Sequence, residues 1–345
     1  MYLTCSLCKV SIHPADKLFG LENRYTVGAR RLIVMAGASW SFDKAEEHLA
    51  EFCGLQLSDN TIRELCQQES VPMGRHQRKD PEANRQFLQA ADVVAQATGA
   101  YEFTCDGTCV NTVDGWRELR IGMFAVREFG ASVHADQWAN RKLPKPLASV
   151  AFAGIEDKEQ FRKHWDVRAK QLNIDYDKLS VLADGAHWIW DSVSLEFGKV
   201  QECLDVYHAL EHLSATGKAL YGAETPEYKT WREETTLELM WSGYTLIEQR
   251  LDRLEQEERT PQERESIRLL RGYLSYHRDR LNYAGRLAEG RVIGGGQVEG
   301  ACKNMIGRRL KQTGAKWRVR RVNRMATLCA VLYSEQWKDY WNTAK

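Results

Sequence analysis

The sequence lacks any apolar run long enough to cross a bilayer. Its longest stretch without a charged side chain, Leu32–Phe42, falls well short of the roughly 20 residues a spanning helix needs, so no membrane anchor is expected. The first residues, MYLTCSLCKV, lack the cationic start, apolar middle and small-residue cleavage site of a secretory signal. Nine irregularly spaced cysteines do not form the even framework of a disulfide-stapled secreted domain. These absences together point to a reducing, cytoplasmic location. Internal repeats and low-complexity segments are missing too, which argues against a solenoid or a disordered chain. What is present is 345 residues of ordinary globular composition, enough for about two domains with apolar cores.

Charge is scarce only on average. The net charge is +1, but between Tyr221 and Ser266 twelve acids stand against six bases, and from Gly307 to Arg324 there is no acid at all. That second stretch carries Arg308, Arg309, Lys311, Lys316, Arg318, Arg320, Arg321 and Arg324. Such a density of cations suits a polyanion such as a phosphate backbone. A solvated helical face is the competing reading.

Periodicity outlines the architecture. Cys5 and Cys8 have the two-residue gap of a zinc knuckle, with His13 the one other candidate ligand nearby; two metal-free thiols are the alternative. Ser41 to Glu69 carries two helical patterns, Ala45, Leu49 and Phe52 on the first and Ile62, Leu65 and Cys66 on the second. A turn at Gly54 and an N-cap at Ser58 separate them, a helix-turn-helix-like arrangement that can enter a DNA groove. Pro72 to Pro81 reads as a basic linker. A further helix follows, then strands in YEFTCDGTCVNT, WRELRIGMFAV and ASVAFAGI, a helix in DKEQFRKHWDVRAKQL, and two strand-to-helix units ending at Asp184 and Leu204. Strands in succession followed by alternating strand and helix predict an α/β fold with one mixed sheet flanked by helices. From about 213 to 290 the pattern is wholly helical and reads as an insertion.

Three acids sit at comparable points. Asp106 lies in CDGT on the first strand, Asp184 in LADGA where an apolar strand stops, and Glu299 at the start of the last helical block, just after three glycines. Ligands of open sheets gather beyond strand ends, where distant carboxylates can converge. Such an oxygen-only cluster suits Mg2+ or Mn2+, and two such ions support phosphodiester chemistry. Each acid also has a simpler reading: Asp-Gly is a common turn, and Glu299 stands four residues before Lys303 as in a helix-surface pair. Asp205 and His208 share one helical face in DVYHALEHL. Trp241, in the helical block, is either core or an aromatic able to stack on an unpaired base.

The blocks DGTCVNTVDGWRELRIG, LADGAHWIW, LDVYHALEHL and IGGGQVEGACKNMIGRRLKQTGAKW, in this order, closely resemble the DDE transposases of ISKra-type insertion sequences, relatives of the Mutator-like group. The resemblance covers nearly the whole chain. It implies an RNase H-like core interrupted by an all-helical insertion, with Asp106, Asp184 and Glu299 as catalytic metal ligands and Asp205 and His208 in support. The implied organisation is a partial zinc-ribbon-like segment (1–30), a helical DNA-binding region (31–98), the first part of the catalytic core (99–212), the insertion (213–290), and the final core helix with a basic C-terminal segment (291–345). Implied partners are the DNA of element ends and target, and further copies of the chain in a homodimer or larger assembly at the bacterial nucleoid. The family usually begins with a second cysteine pair upstream of the one matching Cys5 and Cys8, which this sequence does not contain. A transposase-derived DNA-binding protein without cleavage activity and an RNase H-like nuclease are the rival expectations.

Overall fold

In the computed structural model, residues 3–9, 11–12, 14–18, 21, 24–96 and 99–343 are described. A short antiparallel hairpin, β1 (Leu3–Thr4) and β2 (Ser11–Ile12), and the small helix α1 (Pro14–Leu18) come first. Helices α2 (Val27–Ser39), α3 (Phe42–Cys53), α4 (Asp59–Lys79) and α5 (Arg85–Gln96) lead into the sheet. Its strands are β3 (Gly99–Thr112), β4 (Gly115–Glu128), β5 (Ala148–Gly154), β6 (Leu179–Ala183) and β7 (Gln201–Leu204), ordered β5-β4-β3-β6-β7. Helices α6 (Lys158–Gln171) and α7 (His187–Phe197) make the crossovers after β5 and β6.

The mixed sheet expected from the pattern is therefore present. The β3–β4–β5 meander is antiparallel, whereas β6 and β7 join β3 in parallel. Alternation along β3 explains its two faces. Tyr101, Phe103 and Cys105 enter a core with α5, α6 and α7, while Val110 enters a second core on the opposite face with α2, α4 and the C-terminal helices.

After β7 the chain is helical: α8 (Val206–Tyr221), α9 (Pro226–Ser242), α10 (Tyr244–Glu255), α11 (Pro261–Tyr276) and α12 (Tyr283–Ala288). Helix α11 opens with a capping box between Thr260 and Glu263, which satisfies two otherwise orphaned backbone donors. The apolar faces of these helices, including Leu213, Trp231, Ile247, Leu270 and Tyr283, are continuous with the first core, so the helical block is fused to the sheet. It ends at Gly290, which has φ +71 and lies so close to Gly130 that a side chain there would strike its carbonyl. The chain returns as α13 (Gly296–Ala301), passes through a π-helical turn at Cys302–Gly307, and finishes with α14 (Arg308–Leu310), α15 (Val319–Tyr333) and α16 (Trp337–Thr343).

Several expectations need correction. No linker spans Pro72 to Pro81, because α4 runs to Lys79 with Pro72 inside it. Proline in a helix interior costs about 3 kcal/mol. Packing outweighs that cost: Met73, Gly74, His76 and Gln77 are buried beyond it, and Gln77 donates to the Ala151 carbonyl of β5 at 3.1 Å. The Gly54 turn, with φ 64, and the Ser58 cap are as read from the sequence. Phe52, however, is 72% exposed. Helix α4 is buried on one face along most of its length in the same core as α15, and its exposed residues, from Asn60 to Lys79, recur along the other face. Among the described residues no helix is long and apolar enough to cross a membrane.

Candidate active site

Strand register builds the site. Cys105, Ala183 and Leu204 are register partners across the parallel strands β3, β6 and β7. The next residue on each is an aspartate: Asp106, Asp184 and Asp205. They therefore form a row, one strand spacing of about 4.8 Å apart along the backbone. The Asp205 N–H donates to the Ala183 carbonyl at 2.8 Å, continuing the ladder by one step. Asp106 is not in a turn, because β3 passes straight through it and pairs it with Ile121. Asp184 does end its strand. Its Oδ1 accepts from the Ala186 N–H at 2.9 Å and its carbonyl from the Trp190 indole at 2.9 Å, so the Asp-Gly turn and the site coincide there.

Glu299 is brought to this row by the glycines. The Asp205 carboxylate accepts from the Tyr207 N–H at 2.7 Å, capping α8, and also from the Gly295 N–H. A Cβ on Gly295 would lie 2.6 Å from that carboxylate oxygen, so only glycine allows the approach. The Val206 N–H, at 3.0 Å from the Ile293 carbonyl, fixes the same strand of chain. Glu299 follows in the first turn of α13. No ion pair to Lys303 forms among the described residues, since the turn widens to π at Cys302 and breaks the i,i+4 geometry. The Cys302 thiol instead donates to Asp106 Oδ2 at 3.3 Å.

The electrostatics follow from this gathering. Burial, then Asp106 and Asp205, push the Asp184 carboxyl above its usual range, while the Ala186 N–H and His208 pull it back. Burial, then Asp205 and Asp106, raise Glu299 in the same way against His208. Among the described residues the oxygens of Asp106, Asp184 and Asp205 accept from backbone amides and a thiol, with no lysine or arginine on them. Mutually repelling hard oxygens are the kind of donor a Mg2+ or Mn2+ ion takes, and on that chemistry Asp106, Asp184 and Glu299 fit one. As arranged, no three His, Cys, Asp or Glu donors among the described residues already close around a common point.

Tyr273, from α11 of the helical block, escaped sequence reasoning. Its ring occupies the space a Cβ on Gly185 would need, with 2.2 Å between them, and it stacks on His212 at 3.6 Å. The one signal was the glycine after Asp184. His208 is half exposed and lies 3.6 Å from Glu211. Trp241 is 49% exposed and packs edge-on against His134 at 4.3 Å, so it is not core.

The cationic segment divides. Arg308, Lys311, Lys316, Arg318 and Arg320 are exposed and Arg321 is half buried. Lys311 reaches Thr108 Oγ1 at 2.6 Å, two residues along β3 from Asp106. Arg309 is the exception to the DNA-contact expectation. It is 3% exposed, donates to the Gly37 carbonyl at 2.7 Å, and lies over Phe42 and Trp317, a packing role. Cys5 and Cys8 are exposed free thiols in the β1–β2 hairpin. Backbone hydrogen bonds from Cys8 and Leu7 hold the Cys5 thiol below its usual range. His13 lies outside the described residues.

A scan against protein-family models finds no match to this chain, and a search of curated proteins finds none either.

Proposed function

We infer that this chain is a DDE-type transposase that cleaves DNA at the ends of an insertion sequence and joins the freed 3′ hydroxyl to target DNA. The observation that carries the reading is the in-register row of Asp106, Asp184 and Asp205 with Glu299 tethered to it through Gly295. An RNase H-like core is supported by a helical block that lies between the last strand and the final helices, where the resemblance implies an insertion.

Asp106, Asp184 and Glu299 are the residues that would hold Mg2+ or Mn2+. When bound, the ions supply activation of the attacking water or 3′ hydroxyl and stabilisation of the leaving oxygen. Asp205 is a positioning residue, since one oxygen fixes the start of α8 and the other the approach of Glu299. His208 offsets part of the negative potential at Asp184 and Glu299. The exposed cations from Arg308 to Arg320 hold the DNA backbone beside the row, and Lys311 stands nearest to Asp106 along β3. Joining two element ends requires two copies of the site, so a homodimer or larger assembly belongs to this reading.

Asp106→Asn, Asp184→Asn and Glu299→Gln should each lower Mg2+-dependent nicking of end DNA by about 10³-fold or more, with duplex affinity within about twofold. Wild-type nicking in any of them removes that residue from the mechanism. A DNA-binding protein that does not cut is the alternative reading. Absence of nicked product from the wild-type chain with Mg2+ would decide for it. Nicking without joining to a supercoiled target would instead indicate an RNase H-like nuclease.

A further inference from the structure

The outer edge of β5 borders a cavity of about 520 Å3 between α4, α6 and the start of α15. Four arginines line it: Arg78, Arg168, Arg320 and Arg324. Its one acid, Glu156, is held by His164 at 2.9 Å. None of the four arginines forms an ion pair among the described residues, in contrast to Arg250 of α10 and Arg271 of α11.

Arg168 is the telling member. It is 4% exposed, and its guanidinium donates to the Gln77 carbonyl at 2.8 Å and to Gln77 Oε1 at 2.9 Å, with Phe152 below it at 5.6 Å. Two carbonyl oxygens take two of its five donors and a ring face lies against it, with nothing to cancel its charge. Burial, then the neighbouring Arg78, both disfavour that charge. Arg78 itself lies over Gly74, where a side chain would come within 3.2 Å of its guanidinium. The first turn of α15 has no side-chain cap, and Val319 and Arg320 of that turn line the cavity, which adds the positive end of a 15-residue helix. Against these cations the lining offers one carboxylate, Glu156, which is engaged by His164.

The cavity also has a defined place relative to the acids. Asp106 pairs with Ile121, and Ile121 with Ala153, which lines the cavity. Ala153 thus stands in the same row as Asp106, two strand spacings or about 10 Å away.

We propose that this arginine-lined cavity is a phosphate-binding site that takes a backbone phosphate of the DNA engaged at the acid row. The location rests on the transposase reading, whereas the phosphate chemistry does not. Its test therefore omits the chemical step: binding is measured without divalent metal. The full chain is titrated with inorganic pyrophosphate and with a random-sequence duplex at several salt concentrations. The variants are Arg78→Gln with Arg324→Gln, Arg168→Met, and Arg253→Gln with Arg264→Gln in α10 and α11 as a control for net charge. Thermal melts identify a fold defect in the Arg168 variant, and the double variant carries the test if one appears. Loss of pyrophosphate binding with about tenfold weaker duplex binding, and a salt slope shallower by about one, supports the proposal when the control is unchanged. Loss of pyrophosphate binding alone overturns the DNA assignment in favour of a free phosphate ligand. Wild-type binding of both probes overturns the site itself. A chain that binds both but never nicks DNA refutes the transposase reading and leaves the phosphate site standing.

Discussion

The acid row and the helical block are both rich in carboxylates, yet they treat them in opposite ways. Eight of the twelve acids between Tyr221 and Ser266 are clamped by arginines. Arg250 bridges Glu234 and Glu238, and Arg271 bridges Asp252 and Glu255. Those pairs sit at the surface, where each contributes about 0–1 kcal/mol. Asp106, Asp184 and Asp205 have no such partner among the described residues, and burial raises the proton affinity of Asp184 and Glu299. A count of acids locates the helical block, but the lack of counter-charge locates the candidate site. The same contrast separates the clamped arginines of α10 and α11 from the unpaired ones at the β5 edge.

Matched substitutions test this contrast, beginning with the largest expected effect. Gly295→Ala puts a methyl group against the Asp205 carboxylate. Displacing Glu299 by about 1 Å should cost about 10²-fold in nicking. Gly272→Ala in α11, where nothing lies within 4 Å of the new carbon, should leave nicking unchanged and stabilise the helix by about 0.5–1 kcal/mol. Equal activities in the two variants would deny the tether any part in the site.

A middle-sized effect concerns pH. His277, where the helical block meets the sheet, is pushed down to about 4 by burial and then by Arg280. Its folded value lies below its unfolded one, so its contribution is present above about pH 6.5 and is lost as pH falls toward 4. Asp184 and Glu299 act with the opposite sign. Their folded values are raised, so stability drains as pH rises through them. Denaturant melts at pH 7 and pH 5 should therefore differ by about 2 kcal/mol less in His277→Phe than in the wild type. An unchanged difference would mean that the imidazole does not resist protonation.

The smallest effect is thermal. Without divalent metal at neutral pH, Asp184→Asn removes an uncompensated charge and should raise the melting temperature by about 2 °C, whereas Arg271→Ala should lower it by a similar amount or less. A melting temperature lowered by Asp184→Asn would show that the acid row is not under mutual strain.

Much of this was legible in the sequence because it depends on short-range pattern. The strands around Asp106 and before Asp184, the helical block after β7 and the cap at Ser58 are local features, and they lie where the periodicity puts them. The row itself was only half legible. Asp184 and Asp205 end strands visibly, but register, which no single segment encodes, puts Asp106 beside them in mid-strand. Long-range packing supplied what was missed. Helix α4 continues through Pro72 because β5 and α15 bury it, Arg309 turns inward to Phe42 and Trp317, and Tyr273 arrives from the helical block to cover Gly185.

The separation of Asp106, Asp184 and Asp205 is the repeat distance of a hydrogen-bonded ladder, so three of the four acids cannot drift apart while the strands stay paired. Glu299 comes on a separate thread, fastened before it by the Ile293 carbonyl and the Gly295 amide and after it by the Cys302 thiol. Of the four acids, Glu299 alone has a position that strand pairing does not dictate.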